Sequence, residues 1–367
     1  MIHIIYSAPG ARERGSDGQA MRMMKACLWV AARLCAALAV LGAAGAMSPA
    51  CAQQDSQIGP DYTDAPETVI NPAVPHGVVH ELVMDSAAST IFPGIVRIEN
   101  ATSARRDAYG NRLAAPAEQV SEPAPYQRHV WVYVPHQYVP GIAAPFMVLQ
   151  DGHGYVQRLP VILDNMIAAH RLPVMILVMV DSGGGDAQGS ERGLEYDTIS
   201  DRYMRFIESE VLPRVAAEYH LRFTSDPEGR GTMGGSSGGV AAFTMAWFHP
   251  ELYRKVLTYS GTFVNQASPV DPVTPHGGWE YHDHLIAEAA RKPIRVWLEV
   301  GENDLHFGDP EYTWHSWPLA NLRMAAALKA KGYDYRFVWA RGAKHVDARV
   351  VGQTLPGALA WLWRDFR

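Results

Sequence analysis

Residues 230–242, Arg-Gly-Thr-Met-Gly-Gly-Ser-Ser-Gly-Gly-Val-Ala-Ala, constrain this chain more than any other stretch. A short apolar run meets a crowded glycine–serine turn, and a helical pattern follows. G-x-S-x-G written across a strand–turn–helix junction is the pattern of a nucleophile elbow, whose serine backbone is strained and needs small residues two positions before and after it. Two registers fit. Ser236 has Gly234 and Gly238 as flanks, with Gly239 behind them to let the helix approach the strand. Ser237 would have Gly235 and Gly239, but bulky Val240 would take the third small position. The register therefore favours Ser236. Such a turn exposes the hydroxyl, offers the Ser237 backbone N–H to a developing oxyanion, and aims a helix N-terminus at that charge. The alternative is a glycine-rich connection without chemistry, and the rest of the chain weighs between the two.

Apolar runs and helical patterns alternate on both sides of this stretch. Strands are expected over 76–83, 128–134, 145–149, 173–180, 255–259, 294–300 and 335–340, with a further one after Ser86. Helices are expected over 161–169, from Thr198 to about Tyr219 with Pro213 inside it or between two pieces, after the elbow as far as His249-Pro250, over 318–331 and over 356–364. Near-continuous apolar strands separated by helices predict an α/β fold, a mostly parallel central sheet with helices on both faces. Residues 98–127, rich in Ala, Pro, Arg and Asn, read as a hairpin excursion.

The first segment reads as separate from the fold. Arg22, Lys25 and Arg33 precede the apolar run 34–46, and Ala50-Cys51-Ala52 forms a small-x-small cleavage signal. Residues 1–52 are therefore expected to be a secretory signal peptide with an over-long start, too short in its apolar part to span a bilayer. Lipidation at Cys51 is the alternative, though Ser48 and Pro49 suit a lipobox poorly. The polar, proline-bearing residues 53–75 are expected to be a flexible leader, and 76–367 a single domain. All three cysteines, Cys27, Cys35 and Cys51, fall in the first segment. A chain cleaved near Ala52 would have no disulfide, thiol nucleophile or thiolate metal site. Residues 1–52 hold five Lys/Arg and two Asp/Glu, so the balance beyond them is 27 against 36, or −9. A net acidic chain without a basic run argues against nucleic acid as a partner.

Catalytic groups in open α/β sheets sit just beyond the carboxyl ends of strands. Read that way, the chain offers Ser236, Asp304 and His345, the serine–acid–histidine order of α/β-hydrolases. A serine hydroxyl needs a base, for which His345 is the candidate. The imidazole needs a carboxylate to fix its tautomer, for which Asp304 is preferred over Glu302. A second oxyanion donor is expected from Gln150-Asp151-Gly152-His153-Gly154, through the N–H of Gly152 or His153. Arg192 is a candidate for holding a substrate oxygen; equally, Arg192 and Glu195 would brace their loop by pairing. Trp279 and Trp314, with Tyr281, Tyr312 and Trp317, are candidates for stacking on a ring, or plugs of a small satellite core. His282-Asp283-His284 lacks a third ligand, so no metal is assigned.

At these residues the chain resembles the esterase family of enterochelin esterase-like α/β-hydrolases, whose wider family includes acetylxylan and feruloyl esterases, S-formylglutathione hydrolases and mycolyltransferases. The matching stretches are Trp131-Val132-Tyr133-Val134-Pro135, Leu149-Gln150-Asp151-Gly152, Leu194-Glu195-Tyr196-Asp197, Glu210-Val211-Leu212-Pro213, Gly234 to Gly239, His249-Pro250-Glu251-Leu252-Tyr253, Tyr259-Ser260-Gly261-Thr262-Phe263, Gly301-Glu302-Asn303-Asp304, His345 and Trp361-Leu362-Trp363. Lys344 stands where members often carry glycine. The resemblance implies Ser236 as nucleophile, His345 as base and Asp304 as acid, in an esterase that uses no cofactor. The leading expectation is an exported serine esterase acting on a small ester, with an acyltransferase and a non-catalytic binding module as alternatives. The acidic balance and the loop aromatics favour a neutral sugar or aromatic ester over an anionic siderophore trilactone.

Overall fold

The computed structural model describes residues 55–97, 121–184, 191–266 and 270–366. The signal-peptide reading of residues 1–52 and most of the 98–127 excursion lie outside them. Among the described residues, nine strands form one sheet in the order β1-β11-β10-β9-β8-β6-β7-β5-β2. The strands are β1 (Asp55–Ile58), β2 (Val78–Asp85), β5 (Gln127–Val134), β6 (Phe146–Gln150), β7 (Ile176–Val180), β8 (Arg230–Gly235), β9 (Lys255–Tyr259), β10 (Arg295–Gly301) and β11 (Asp334–Ala340). All neighbours are parallel except that β5 runs antiparallel to both β7 and β2. At the base of the excursion, β3 (Ile95–Arg97) and β4 (Ser121–Pro123) form a separate antiparallel pair.

The central strands are apolar throughout because both their faces are covered. Every residue of β6, β7 and β9 is buried. Side chains alternate between the two faces. Phe146, Val148, Ile176 and Val178 enter one core, whereas Met147, Leu149, Leu177 and Met179 enter the other. Helices α1 (Leu159–Ala168) and α7 (Ala348–Leu362) cover the second core. The first is covered by α3 (residues 202–219), α4 (Ser237–Phe248) and α6 (Trp317–Ala330). The short α2 (Glu191–Tyr196) precedes α3, and the short α5 (Ile286–Glu288) precedes α6.

Two differences from the sequence reading, and the way one helix holds its proline, have local causes. Residues 55–75 are not a loose leader: β1 adds as an edge strand beside β11, from Asp55↔Phe337 to Ile58↔Ala340. Beyond it, Asn165 donates to the Glu67 and Val69 carbonyls, and the Ala65 N–H donates to the Gly352 carbonyl at 3.0 Å. An edge strand gains mainly backbone hydrogen bonds, so it carries little hydrophobic pattern to read. Helix α7 begins at Ala348 rather than at Pro356, because the Asp347 side chain accepts from the Arg349 N–H and caps it, leaving Pro356 in the interior. Helix α3 contains Pro213 by widening into a π turn over Ile207–Val211, where the Leu212 N–H reaches the Ile207 carbonyl. Proline lacks the N–H that would continue the ordinary ladder.

Candidate active site

Strand β8 ends at Gly235 and α4 starts at Ser237, which leaves Ser236 alone to turn the chain. Its φ of 55° and ψ of −129° lie where an L-residue is strained. The turn is held from both sides: the Ser236 N–H donates to the Tyr259 carbonyl at 2.9 Å, and the Thr262 N–H donates to the Ser236 carbonyl at 3.0 Å. The glycines flanking Ser236 are needed for space. A Cβ on Gly234 would lie 2.3 Å from the Gly238 backbone, and one on Gly238 would lie 2.9 Å from Gln150 Cβ. Ser237 faces the other way. It is fully buried, and its hydroxyl donates to Asp197 Oδ2 at 3.2 Å and accepts from Gln266 at 3.1 Å. Burial pushes the Asp197 carboxyl up to about 7, against the opposing pull of Arg192 and of the hydrogen bonds from Ser237 and Gln266.

The other two expected groups meet beside the elbow. His345 Nδ1 lies 2.5 Å from Asp304 Oδ1, and the Asp304 side chain is wholly buried while the ring keeps some exposure. The Leu305 N–H also donates to Asp304 Oδ1 at 2.6 Å. Glu302 serves a different purpose: it accepts from the Gly342 N–H at 2.8 Å and braces the turn after β11. Trp317 sets its ring edge-on to His345, with centroids 5.9 Å apart. Val346, next to the histidine, has a φ of 44° and donates its N–H to Ser260 Oγ at 2.9 Å. Positive φ on a β-branched residue is a strained placement that the surrounding contacts must enforce. Behind Asp304, burial and then the charges of Asp304 and Asp347 hold Glu299 well above the carboxylate range.

Ser236 and His345 border one cavity of about 590 Å³, whose remaining wall includes Asp151, His153, Tyr155 and Val351. Ser237 supplies the first N–H of α4, and the first N–H groups of a helix have no partner within it. Gly152 is pressed against the end of β7, where an added Cβ would sit 2.6 Å from the Met179 backbone. The His153 N–H is taken by Asp181 Oδ1 at 2.9 Å, which leaves the Gly152 N–H as the candidate second oxyanion donor from this turn.

The four expected substrate contacts are placed differently. Arg192 pairs with neither a free site nor Glu195; it grips Asp151 with two hydrogen bonds, at 3.1 and 2.7 Å. Glu195 is 2% exposed and forms a buried ion pair with Arg128 at 2.5 Å, while also accepting from the Gly183 N–H at 3.1 Å. Trp279 is buried in the helix-covered core, with Arg323 over its ring at 5.1 Å. Trp314 packs against that core and stacks on His276 at 4.1 Å. These two tryptophans act as plugs, because the loop that carries Trp279 folds down beside α4. His282 is also buried, donating to the Phe263 carbonyl at 2.9 Å, and burial lowers its pKa to about 3. The nearby Glu280, Asp283 and His284 bring potential ligand atoms within 4.8 Å of one another, but Arg323 already engages Asp283. Sequence reasoning missed Tyr155 as cavity wall and Asp181 as the partner of His153. The available signal was their position, Asp181 directly after β7 and Tyr155 just past the Gly152–Gly154 turn that follows β6.

Among the described residues, no helix is long and apolar enough to cross a membrane. The esterase family model described as "Putative esterase" matches residues 121–362, well over half of the chain. The Iron(III) enterobactin esterase of Dickeya dadantii (strain 3937) is 28% identical over 145 residues, which cover 39% of this chain and 32% of that protein. The uncharacterized protein YbbA of Bacillus subtilis (strain 168) is 22% identical over 153 residues, 39% of this chain and 60% of that one. The chain thus spans less than two thirds of either relative. A solved ferulic acid esterase superposes with a TM-score of 0.51 at 17% identity, over 79% of this chain and 99% of its own, and shares the fold. With an α/β-hydrolase sheet and a family match that runs from β4 to the end of α7, the chain belongs to this esterase family.

Proposed function

We propose that the protein is a serine carboxylic-ester hydrolase that works through an acyl-enzyme. The observation that carries this reading is the convergence on one cavity of Ser236, on a strained turn, and His345, already paired with a buried Asp304. In acylation, His345 Nε2 takes the Ser236 hydroxyl proton as the oxygen attacks the ester carbonyl. The Ser237 and Gly152 N–H groups receive the oxyanion, and Asp304 stabilises the imidazolium through Nδ1. The proton then passes to the departing alcohol as the C–O bond breaks. Water repeats the sequence to release the acid and restore Ser236. The assay is turnover of short p-nitrophenyl esters, with mapping of a fluorophosphonate label. Label elsewhere than Ser236, or full activity in Ser236→Ala, sinks the mechanism.

The substrate we infer is a neutral ester with an apolar or aromatic acyl group. Tyr155, Val346 and Val351 give the cavity an apolar wall. Of its charged groups Asp151 is neutralised by Arg192, and Arg158 is a single cation whose Nη1 donates to the Ala348 carbonyl at 2.9 Å. An anionic trilactone would call for clustered free cations. Similarity to an enterobactin esterase supports that substrate as the second reading. Competition between methyl ferulate, an acetylated sugar and ferric enterobactin separates the two, and a kcat/KM preference for the siderophore would overturn our choice. Export by the signal-like segment 1–52 belongs to the same proposal, and fractionation of cells expressing the full chain tests it.

A further inference from the structure

A second cavity, of about 470 Å³, shares Asp151 and His153 with the one that holds Ser236, and its remaining wall is Asp181, Ser182, Gly183, Gly184 and Arg192. The two differ in chemistry. The catalytic cavity has apolar side chains, whereas the wall of its neighbour is built only of polar residues and glycine. His153 stands at the junction, with its side chain 68% exposed. It is held by Asp181 Oδ1, which accepts from both the His153 N–H and Nδ1, each at 2.9 Å. The base of this pair is rigid. The Asp181 N–H donates to the His129 carbonyl at 3.0 Å, and the Asp181 carbonyl accepts from the buried Arg128 at 2.5 Å.

We propose that this second cavity is a subsite for a hydroxyl-bearing alcohol portion of the ester, recognised by Nε2 of His153. The inference rests on the hydrolase reading above. With Nδ1–H donated to Asp181, the neutral ring presents Nε2 as an acceptor, the complement of a hydroxyl donor. An anion is disfavoured, because Asp151 and Asp181 both line the cavity and the charge of Arg192 is already spent on Asp151. The alcohol rather than the acyl half belongs here. The acyl group must remain bound through the second half-reaction, which suits the apolar cavity, while the alcohol departs to water past an exposed ring.

The test compares propyl butyrate with 2,3-dihydroxypropyl butyrate, which share one acyl group. The wild type should favour the dihydroxypropyl ester by on the order of tenfold in kcat/KM, the worth of one or two net hydrogen bonds. His153→Ala should bring that ratio close to one, mainly through KM. His153→Gln, which keeps an acceptor amide oxygen, should restore part of it, and thermal melting of both variants checks their folding. A wild type without the preference, or a ratio unmoved by His153→Ala in folded protein, overturns the subsite while leaving the hydrolase intact. A wild type that turns over neither ester overturns both.

Discussion

Replacing Glu195 by alanine should unfold far more than it disables. Glu195 and Arg128 are each 2% exposed and face one another in a buried ion pair. Arg128 Nη1 donates to Glu195 Oε2 at 2.9 Å, Tyr126 donates to Oε1 at 2.8 Å, and the Gly183 N–H reaches both oxygens at 3.1 and 3.2 Å. Removing the carboxylate leaves the guanidinium buried without its counter-charge, which costs about 3–5 kcal/mol. With a urea slope of about 3 kcal/mol per molar, the unfolding midpoint should fall by more than about 1 M. Replacing the pair together, Arg128→Met with Glu195→Leu, should recover much of that loss, since no lone charge is left behind. The assay is urea unfolding followed by circular dichroism, beside KM measured below the transition. If Glu195→Ala kept its midpoint and raised KM instead, Glu195 would be a substrate contact and the bracing account would be wrong.

Ser236→Ala should abolish ester turnover, whereas Ser237→Ala should retain most of it, because the Ser237 hydroxyl is buried against Asp197; equal losses would count against the assignment. His345→Ala should cost several orders of magnitude and Asp304→Asn somewhat less, since members of a triad act as a unit. Glu302→Gln should keep turnover, as its carboxylate holds only the Gly342 turn; a larger loss there than in Asp304→Asn would reassign the acid. Asp197 predicts a pH effect on stability. Its folded pKa is raised to about 7, above the ordinary 3.8, so between those values the folded state binds the proton more tightly than the unfolded one. Its contribution to stability is therefore lost as pH rises from about 4 to 7, and Asp197→Asn should flatten that part of the profile. Identical slopes in the two proteins, read from urea midpoints at pH 5 and 7.5, would contradict this.

The sheet and the candidate grouping of Ser236, Asp304 and His345 were legible because each has a local signature. Buried strands print uninterrupted apolar runs, and the elbow prints its glycines at the positions where Gly234 and Gly238 meet neighbouring backbone and side chain. Asp304 and His345 could be placed from strand ends alone. The substrate side was less legible, because it depends on which way long side chains turn. Arg192 and Glu195 are three apart in sequence, yet each found its partner on another strand or loop, Asp151 for the one and Arg128 for the other. Trp279 shows the same limit: a loop tryptophan reads alike whether it faces solvent, substrate or core. Edge strand β1 was missed for a different reason. Its gain is in backbone hydrogen bonds, which composition does not record.

The pairing of β1 with β11 also bears on when this molecule can be finished. Asp55 sits beside Phe337, so the first of the described strands to leave the ribosome must wait for the last of them. Until residues 334–340 are made, the early segment has no ladder to join. Contacts between such distant residues form late and slowly. Throughout synthesis the region next to the signal-like segment is therefore left unpaired and accessible. On the proposed export route, a translocation machinery that threads extended chains would meet this strand not yet locked into the sheet, and its hydrogen bonds to β11 would form after delivery rather than oppose it.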